Sequence, residues 1–403
     1  MNSKAVWFII ATMVLDAVGV GLIFPIMPDL MARVGADSTA NGALLGGILM
    51  AAYAAMLFVC SPAMGALSDA YGRRPVLILS LGILVADYII MALSTSYWML
   101  LVGRLLAGAA GATLIPATAY LADISPPEKR AASFGLIGAA YGIGFVMGPA
   151  LGGVAATWHI TAPFWLAAGF AAVNMLFGLM FLPESLSVEH RKPVTLRALN
   201  PFTAILDAFR LPGLAVPLLI LFVFEFANMA YPTLWAYWLK EMFGWSAALI
   251  GASLTAYGIG IAVSQGVLLR VLAPRLGDFR TLVLSMAFAI LALVGFGIAG
   301  KGWLVFALIP VAAVADMAPP IFAGLMSNRI SKDRQGMLQG VITSMSSVSA
   351  MVAPLLFTWA FQVFARPDGP APYFPGAPFL LAALLVALTL PFLKVLTTSP
   401  KNR

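Results

Sequence analysis

Residues 65–76 read GALSDAYGRRPV and bring Asp69, Arg73 and Arg74 together in a chain that is only 10% charged. Apolar runs flank this stretch at about 42–64 and 76–95. A helix of about 20 apolar residues crosses a hydrocarbon core about 30 Å thick. The charged stretch therefore reads as a short wet connection between two crossings. The same pattern continues outward over the 403 residues, with further runs at about 6–28, 98–121, 133–155, 163–183, 213–238, 247–269, 281–299, 303–325, 337–362 and 377–395. Lipid leaves only helices and closed barrels able to satisfy their own backbone groups. Barrel strands are about 10 residues long and alternate in polarity, which these runs do not. The fold class expected is an all-α integral membrane protein of twelve transmembrane helices, spans 1 to 12 in the order of the runs. At 62% hydrophobic residues the chain exceeds the 45–50% usual for globular domains, as a lipid-embedded protein must.

Several classes of function fall away on composition. The first run is too long for a signal peptide and carries Asp16 at its centre, so it is read as a mature helix. A single cysteine, Cys60, leaves no disulfide framework and no thiolate metal site. Both histidines, His159 and His190, fall in expected loops. No nucleophile–base constellation, metal set or phosphate-binding loop appears, so no enzyme, cofactor or nucleotide-driven pump is expected. The net charge of +7 is not a nucleic-acid footprint. Eighteen of the 23 Lys and Arg fall in segments on one side, and only Arg33, Lys240, Lys301 and Arg366 on the other, with Arg104 inside a span. The positive-inside rule then puts both termini in the cytoplasm.

The longest polar connection, 184–212, divides the chain into six spans plus six. This gives a six-helix bundle at 1–183, a cytoplasmic linker at 184–212 and a second six-helix bundle at 213–403. Part of the linker, LNPFTAILDAF, reads as a short interfacial helix. The halves match at an offset of 205: Gly72 with Gly277, Leu77 with Leu282, Leu79 with Leu284, Ser80 with Ser285, Trp98 with Trp303, Gly135 with Gly340 and Pro149 with Pro354. Two parallel six-span repeats are a known transporter plan.

With these features in place, the opening stretch resembles the loop between spans 2 and 3 of the major facilitator superfamily. Gly65, Leu67, Asp69, Gly72, Arg73 and Arg74 match that motif, while Ala70 stands where a cation is usual. Residues 15–30 (LDAVGVGLIFPIMPDL), 103–131 and 138–153 (GAAYGIGFVMGPALGG) extend the likeness, the last resembling the antiporter motif of drug/proton exporters. Within that group the chain is most similar to the bacterial tetracycline/proton antiporters, a likeness that 334–340 and 353–358 carry into the second half. Two positions depart from it. Where those exporters carry an aspartate in span 9 and a histidine in span 8, this chain has Ala289 and Ile261.

The resemblance implies roles for the residues singled out so far. Gly65, Asp69, Gly72, Arg73 and Arg74, with Asp123 at the end of span 4, form a conformational latch, whose acid and cations are expected to pair across the two halves. The alternative for the cations is simple positive-inside anchoring. Gly144, Gly148 and Gly152 share one face of span 5 at i, i+4 and i+8, where another helix can approach closely, and Pro149 bends the helix there. The resemblance makes this the antiporter motif; close packing explains it equally.

Asp16, Asp87, Arg104, Glu225 and Asp316 fall inside spans 1, 3, 4, 7 and 10. A charge at such depth costs about 2.5–3.5 kcal/mol on insertion scales, so each should face protein or water and have a partner. In the superfamily fold, spans 1, 4, 7 and 10 line the substrate cavity, and four of the five charges lie on them. Asp16, Glu225 and Asp316 are the candidate proton carriers, the last two as substitutes for the missing span 9 acid. Arg104 lies in a small-residue row with Gly108 and Ala112 and is expected to snorkel outward. Asp87 is read as structural. Asn228, Tyr231, Trp235, Tyr257 and Gln265 complete a candidate drug-binding set, against the alternative of an interfacial aromatic belt.

The leading reading is a monomeric secondary exporter in a bacterial inner membrane. It exchanges protons for an amphiphilic drug, tetracycline-like or multidrug, by alternating access. An exporter of an endogenous metabolite or siderophore is the runner-up, and a non-transporting sensor or membrane enzyme is a distant third.

Overall fold

A computed structural model describes residues 3–126, 130–194, 199–200, 202, 213–331, 334–369 and 371–396. Most of the expected interfacial helix in the linker lies outside the described residues. Twelve helices among the described residues are long and apolar enough to cross a membrane. Spans 1 to 6 are Ala5–Arg33, Thr39–Tyr71, Arg73–Leu93, Tyr97–Ile124, Gly135–Ala155 and Ala162–Phe181. Spans 7 to 12 are Ala215–Phe243, Ala247–Leu276, Asp278–Ile298, Gly302–Ser327, Gln335–Phe364 and Ala377–Leu396. The protein is all-α and multi-pass.

The chain forms two compact units. The first takes in Met1–Ala36, Leu49–Pro201 and Ser246–Thr255; the second takes in Asp37–Ile48, Phe202–Trp245 and Ala256–Arg403. The opening turns of spans 2 and 8 therefore belong to a different unit from the rest of their helices.

The sequence repeat is a repeat of environment. Gly72 and Gly277 precede spans 3 and 9 with φ of 107° and 82°, a conformation that costs glycine little. Leu77 and Leu282 are fully buried, as are Ser80 and Ser285, while Trp98 and Trp303 are both exposed. Pro149 and Pro354 both sit inside long helices.

Spans 1, 4, 7 and 10 are each interrupted. Span 1 passes through a 3-10 turn at Phe24–Ile26 and span 4 through one at Gly111–Thr113. Span 7 breaks at Met229 and span 10 at Asp316 and Met317. Proline accounts for these positions, because it has no N–H to donate to the carbonyl four residues earlier. Pro25, Pro116, Pro232 and Pro320 deprive Gly21, Ala112, Asn228 and Asp316 of that donor.

In the first unit, spans 1 and 5 meet along the glycine face. A Cβ at Gly148 would stand 2.8 Å from the Cα of Gly21 and 2.8 Å from the carbonyl oxygen of Val18. Gly144 and Gly152 are closed in the same way by the backbones of Val14 and Leu22. In the second unit the core is aromatic. Trp235, Trp238, Phe296 and Phe379 pack edge-to-face, with centroids 4.9 Å apart for Trp235–Phe296 and 5.1 Å for Trp238–Phe379.

The glycine contact gives a direct test. Gly148→Ala forces two backbones apart and should cost about 1–3 kcal/mol. Thermal unfolding of the purified protein should show a lowered Tm and a smaller monodisperse fraction. Gly142→Ala, on the same helix with nothing within 4 Å of the added Cβ, should leave both unchanged. Equal melting of the two variants would remove close packing as the reason for the glycines.

Candidate functional site

The stretch that opened the sequence analysis folds into a knot of ionic and capping contacts. Span 2 runs on as helix through Asp69 to Tyr71, and Gly72 makes the turn. Gly65 lies inside that helix beside Ile115 and takes no part in the turn. Arg73 is bound by Asp69 at 2.6 Å and Asp123 at 3.2 Å, and donates to Ser68 Oγ at 3.1 Å.

Glu184, which sequence reasoning overlooked, accepts the backbone N–H groups of Arg73 and Arg74 at 2.9 and 3.2 Å. It thus caps the start of span 3, where unsatisfied donors and the helix dipole favour an anion. Arg74 returns the favour by donating to the carbonyl of Leu179 in the last turn of span 6, at 2.7 Å. The linker is stitched down as well: Ser185 Oγ donates to Asp123, and the Lys192 N–H to the carbonyl of Asp69. The position of Glu184 at the C-terminal end of span 6, just after Pro183, was the available signal. All these partners lie in the first unit. The latch expected across the two halves is, in this conformation, a clasp that joins spans 2, 3, 4 and 6 of one unit.

The intramembrane charges divide into two kinds. Arg104 does not snorkel. It forms a buried ion pair with Asp87 at 2.6 Å and lies over the Tyr53 ring at 5.7 Å. In its small-residue row, Gly108 is closed by the backbone of Tyr53 and the Cβ of Met56. Asp87, read as structural, is the fully buried partner that holds Arg104 in place.

Asp16 belongs to the second kind. It is buried, and its carboxylate accepts a hydrogen bond from the Tyr141 hydroxyl at 2.5 Å. Tyr141 stands three residues before Gly144 and so shares the face of span 5 that packs on span 1. That spacing was legible and went unused.

The second unit gathers most of its candidates at the break in span 10. Pro320 leaves the Asp316 carbonyl free, and Gln265 Nε2 donates to it at 2.8 Å. Gln265 lies on a π-helical turn, Ser264–Leu268, a local widening of span 8 that recurs at functional sites. The Asp316 carboxylate accepts from Tyr257 Oη at 2.6 Å and from Asn228 Nδ2 at 3.4 Å. Glu225 lies one helical turn before Asn228 on the same span.

Tyr231 and Trp235 behave differently from expectation. They are 7% and 4% exposed and are packed into the aromatic core, so their rings serve the fold and not an open surface. Ala289, at the position of the missing span 9 acid, is buried as well. Among the described residues, no group of three or more His, Cys, Asp or Glu is arranged to hold a metal ion.

The sequence matches the Major Facilitator Superfamily over residues 9–354 and 237–402. It is 35% identical over 384 residues to the class C tetracycline resistance protein of Escherichia coli, covering 95% of this chain and 96% of that one. It is also 35% identical to the class G tetracycline resistance protein of Vibrio anguillarum, covering 94% of each. Among solved structures, an inward-facing, unoccupied bacterial homologue of the human lysosomal transporter Spinster superposes with a TM-score of 0.76 at 16% identity, over 100% of this chain and 98% of that one. The twelve-span duplicated architecture and the full-length relatives agree: the chain belongs to the Major Facilitator Superfamily.

Proposed function

We propose that this protein is a proton-coupled exporter of amphiphilic drugs, tetracycline-like compounds among them, working by alternating access. The observation that carries the proposal is the difference between the two kinds of buried acid. Asp87 has a cation of its own, Arg104. Asp16, Glu225 and Asp316 have none among the described residues; Asp16 and Asp316 are met by neutral phenols and an amide. An uncompensated charge held out of water is expensive, and taking up a proton removes the cost. Acids in that position are functional-site candidates by default, and proton relays are one of their recurrent roles.

The relatives lend the substrate class, since tetracycline resistance proteins match 94–95% of the chain. Asp16 in the first unit and Glu225 with Asp316 in the second are assigned to proton coupling. Asn228, Tyr257 and Gln265 are assigned to the substrate-facing set around Asp316. The clasp of Asp69, Arg73, Arg74, Asp123 and Glu184 is assigned to setting the balance of conformations. Exposed ion pairs are worth only about 0–1 kcal/mol each, so a partly wet clasp of this kind biases an equilibrium without freezing it. On this reading the protein works in a bacterial inner membrane with both termini in the cytoplasm, as a monomer whose partners are lipid, protons and a small molecule.

Two outcomes are expected. Everted vesicles carrying the protein should lose part of an imposed pH gradient, read by a fluorescent pH probe, when tetracycline or another amphiphilic drug is added. An unchanged gradient across a broad panel of drugs would reject the exchange. Asp16→Asn should abolish drug-dependent proton flux while protein level and Tm stay near wild type. Full flux in that variant would remove Asp16 from proton coupling.

A further inference from the structure

The connection between spans 8 and 9 holds positive charge that the export reading leaves unused. Arg270, Arg275 and Arg280 lie around the turn at Gly277, whose φ is 82°. All three are exposed, and among the described residues none is in an ion pair. Asp278, the one acid in the stretch, is exposed and outside any ion pair as well. The repeat-related stretch between spans 2 and 3 is built the other way. There Arg73 is held by Asp69 and Asp123, and Arg74 donates to the carbonyl of Leu179. At the offset of 205, Arg270, Arg275 and Arg280 fall on Gly65, Ala70 and Pro75, and Asp69 falls on Pro274. The second unit has lost the acid and gained cations where the first is neutral.

A second, independent observation says what kind of anion fits. An exposed apolar ridge on span 8 leads up to the arginines. Val263, Val267 and Val271 are 55%, 60% and 40% exposed and stand at i, i+4 and i+8, and Arg275 follows at i+12. At 1.5 Å per residue the ridge covers about 18 Å, close to the depth of one leaflet of a hydrocarbon core about 30 Å thick. Arginines that served only water would need no such ridge. An apolar length that ends in unanswered positive charge is the complement of an anionic lipid.

We propose that the connection between spans 8 and 9 and the valine ridge of span 8 form a docking surface for an anionic phospholipid. Arg270, Arg275 and Arg280 hold the phosphodiester, and an acyl chain lies along Val263, Val267 and Val271. The guanidinium fork matches a phosphate in charge and in hydrogen-bond geometry. A headgroup with no ammonium of its own, such as phosphatidylglycerol, is preferred, because a zwitterion brings a cation that the arginines repel. Clusters of Lys and Arg at the membrane surface attract anionic lipid in this way. The proposal goes beyond the export reading and stands or falls apart from it.

The test uses the purified full-length protein in neutral detergent, titrated with dioleoylphosphatidylglycerol or dioleoylphosphatidylcholine, with bound lipid counted by native mass spectrometry. Phosphatidylglycerol should bind about tenfold more tightly than phosphatidylcholine. Salt at about 0.5 M, added in a parallel equilibrium-binding assay in detergent, should shrink that preference, since the arginines are exposed and screened. Replacing all three cations, by Arg270→Gln, Arg275→Gln and Arg280→Gln together, should reduce the preference to about twofold or less, and Arg275→Gln alone should lower it about threefold. Lys301→Gln removes an exposed cation from the opposite side of the membrane and should leave the preference whole. Should the triple variant fail to fold, Arg275→Gln and the salt dependence still decide. Equal affinity for the two lipids, an unchanged preference in the folded triple variant, or an equal loss in Lys301→Gln would overturn the docking surface. Displacement of phosphatidylglycerol by glycerol 3-phosphate would also overturn it, by assigning the arginines to a soluble phosphate that has no chain for the ridge.

Discussion

The membrane interior offers no water, and this governs every polar choice in the protein. A charge at mid-depth has three ways to persist: a counter-charge, a set of neutral hydrogen bonds, or a proton. Asp87 and Arg104 take the first way and become mutually dependent, since removing one partner of a buried pair typically costs about 3–5 kcal/mol. Asp16 and Asp316 take the second, with Tyr141 and Tyr257 as donors. Neutral donors leave the charge uncancelled and so leave the third way open. The same side chain is charge-compensated when an arginine faces it and uncompensated when a tyrosine does.

Backbone groups obey the same rule, and here it links the fold to the site. A proline inside a span frees a carbonyl that lipid cannot satisfy. At Asp316 the freed carbonyl is taken up by the Gln265 side chain, and Gln265 sits where span 8 widens into a π-turn. The break that exposes the carbonyl also turns the Asp316 carboxylate toward Tyr257. Helix interruption and acid placement are thus one device, because a continuous helix would have consumed the carbonyl that anchors span 8 to span 10.

The spans and the repeat were readable because both rest on hydrophobicity and glycine, which act locally. The ends of span 2 were less so. The apolar run stops near residue 64, yet the helix continues to Tyr71 because charged side chains at the wet interface do not break a helix; Gly72 does. The pairing of charges was harder still. Asp87 with Arg104 and Arg73 with Asp123 are contacts between helices, and no single helix's pattern encodes the rotation that brings them face to face. Glu184 was missed for a different reason: it binds backbone N–H groups, so no charged side chain marks it as paired and only its position after Pro183 points to it. Tyr231 and Trp235 misled because an aromatic residue beside a polar one looks alike whether it lines a site or fills a core.

Duplication explains the scaffold and stops short of the chemistry. At the offset of 205, the break at Phe24 falls on the break at Met229, and Gly111 falls on Asp316, so the interruptions of spans 1 and 7 and of spans 4 and 10 coincide. The charges do not coincide. Asp16 falls on Leu221, Asp87 on Ala292 and Arg104 on Ile309, all three buried and apolar, while Asp316 falls on Gly111 and Glu225 on Val20. The clasp is equally one-sided, with Asp69 opposite Pro274, Asp123 opposite Asn328 and Glu184 opposite Thr389. A membrane fold can be doubled cheaply, because apolar faces and helix breaks work wherever they are copied. Each intramembrane charge needs its own partner on a neighbouring helix, so a copied charge without a copied partner is a cost with no return. What survives in each repeat is the set of charges that found something to answer them: an arginine and a tyrosine in the first unit, phenols and amides around two acids in the second.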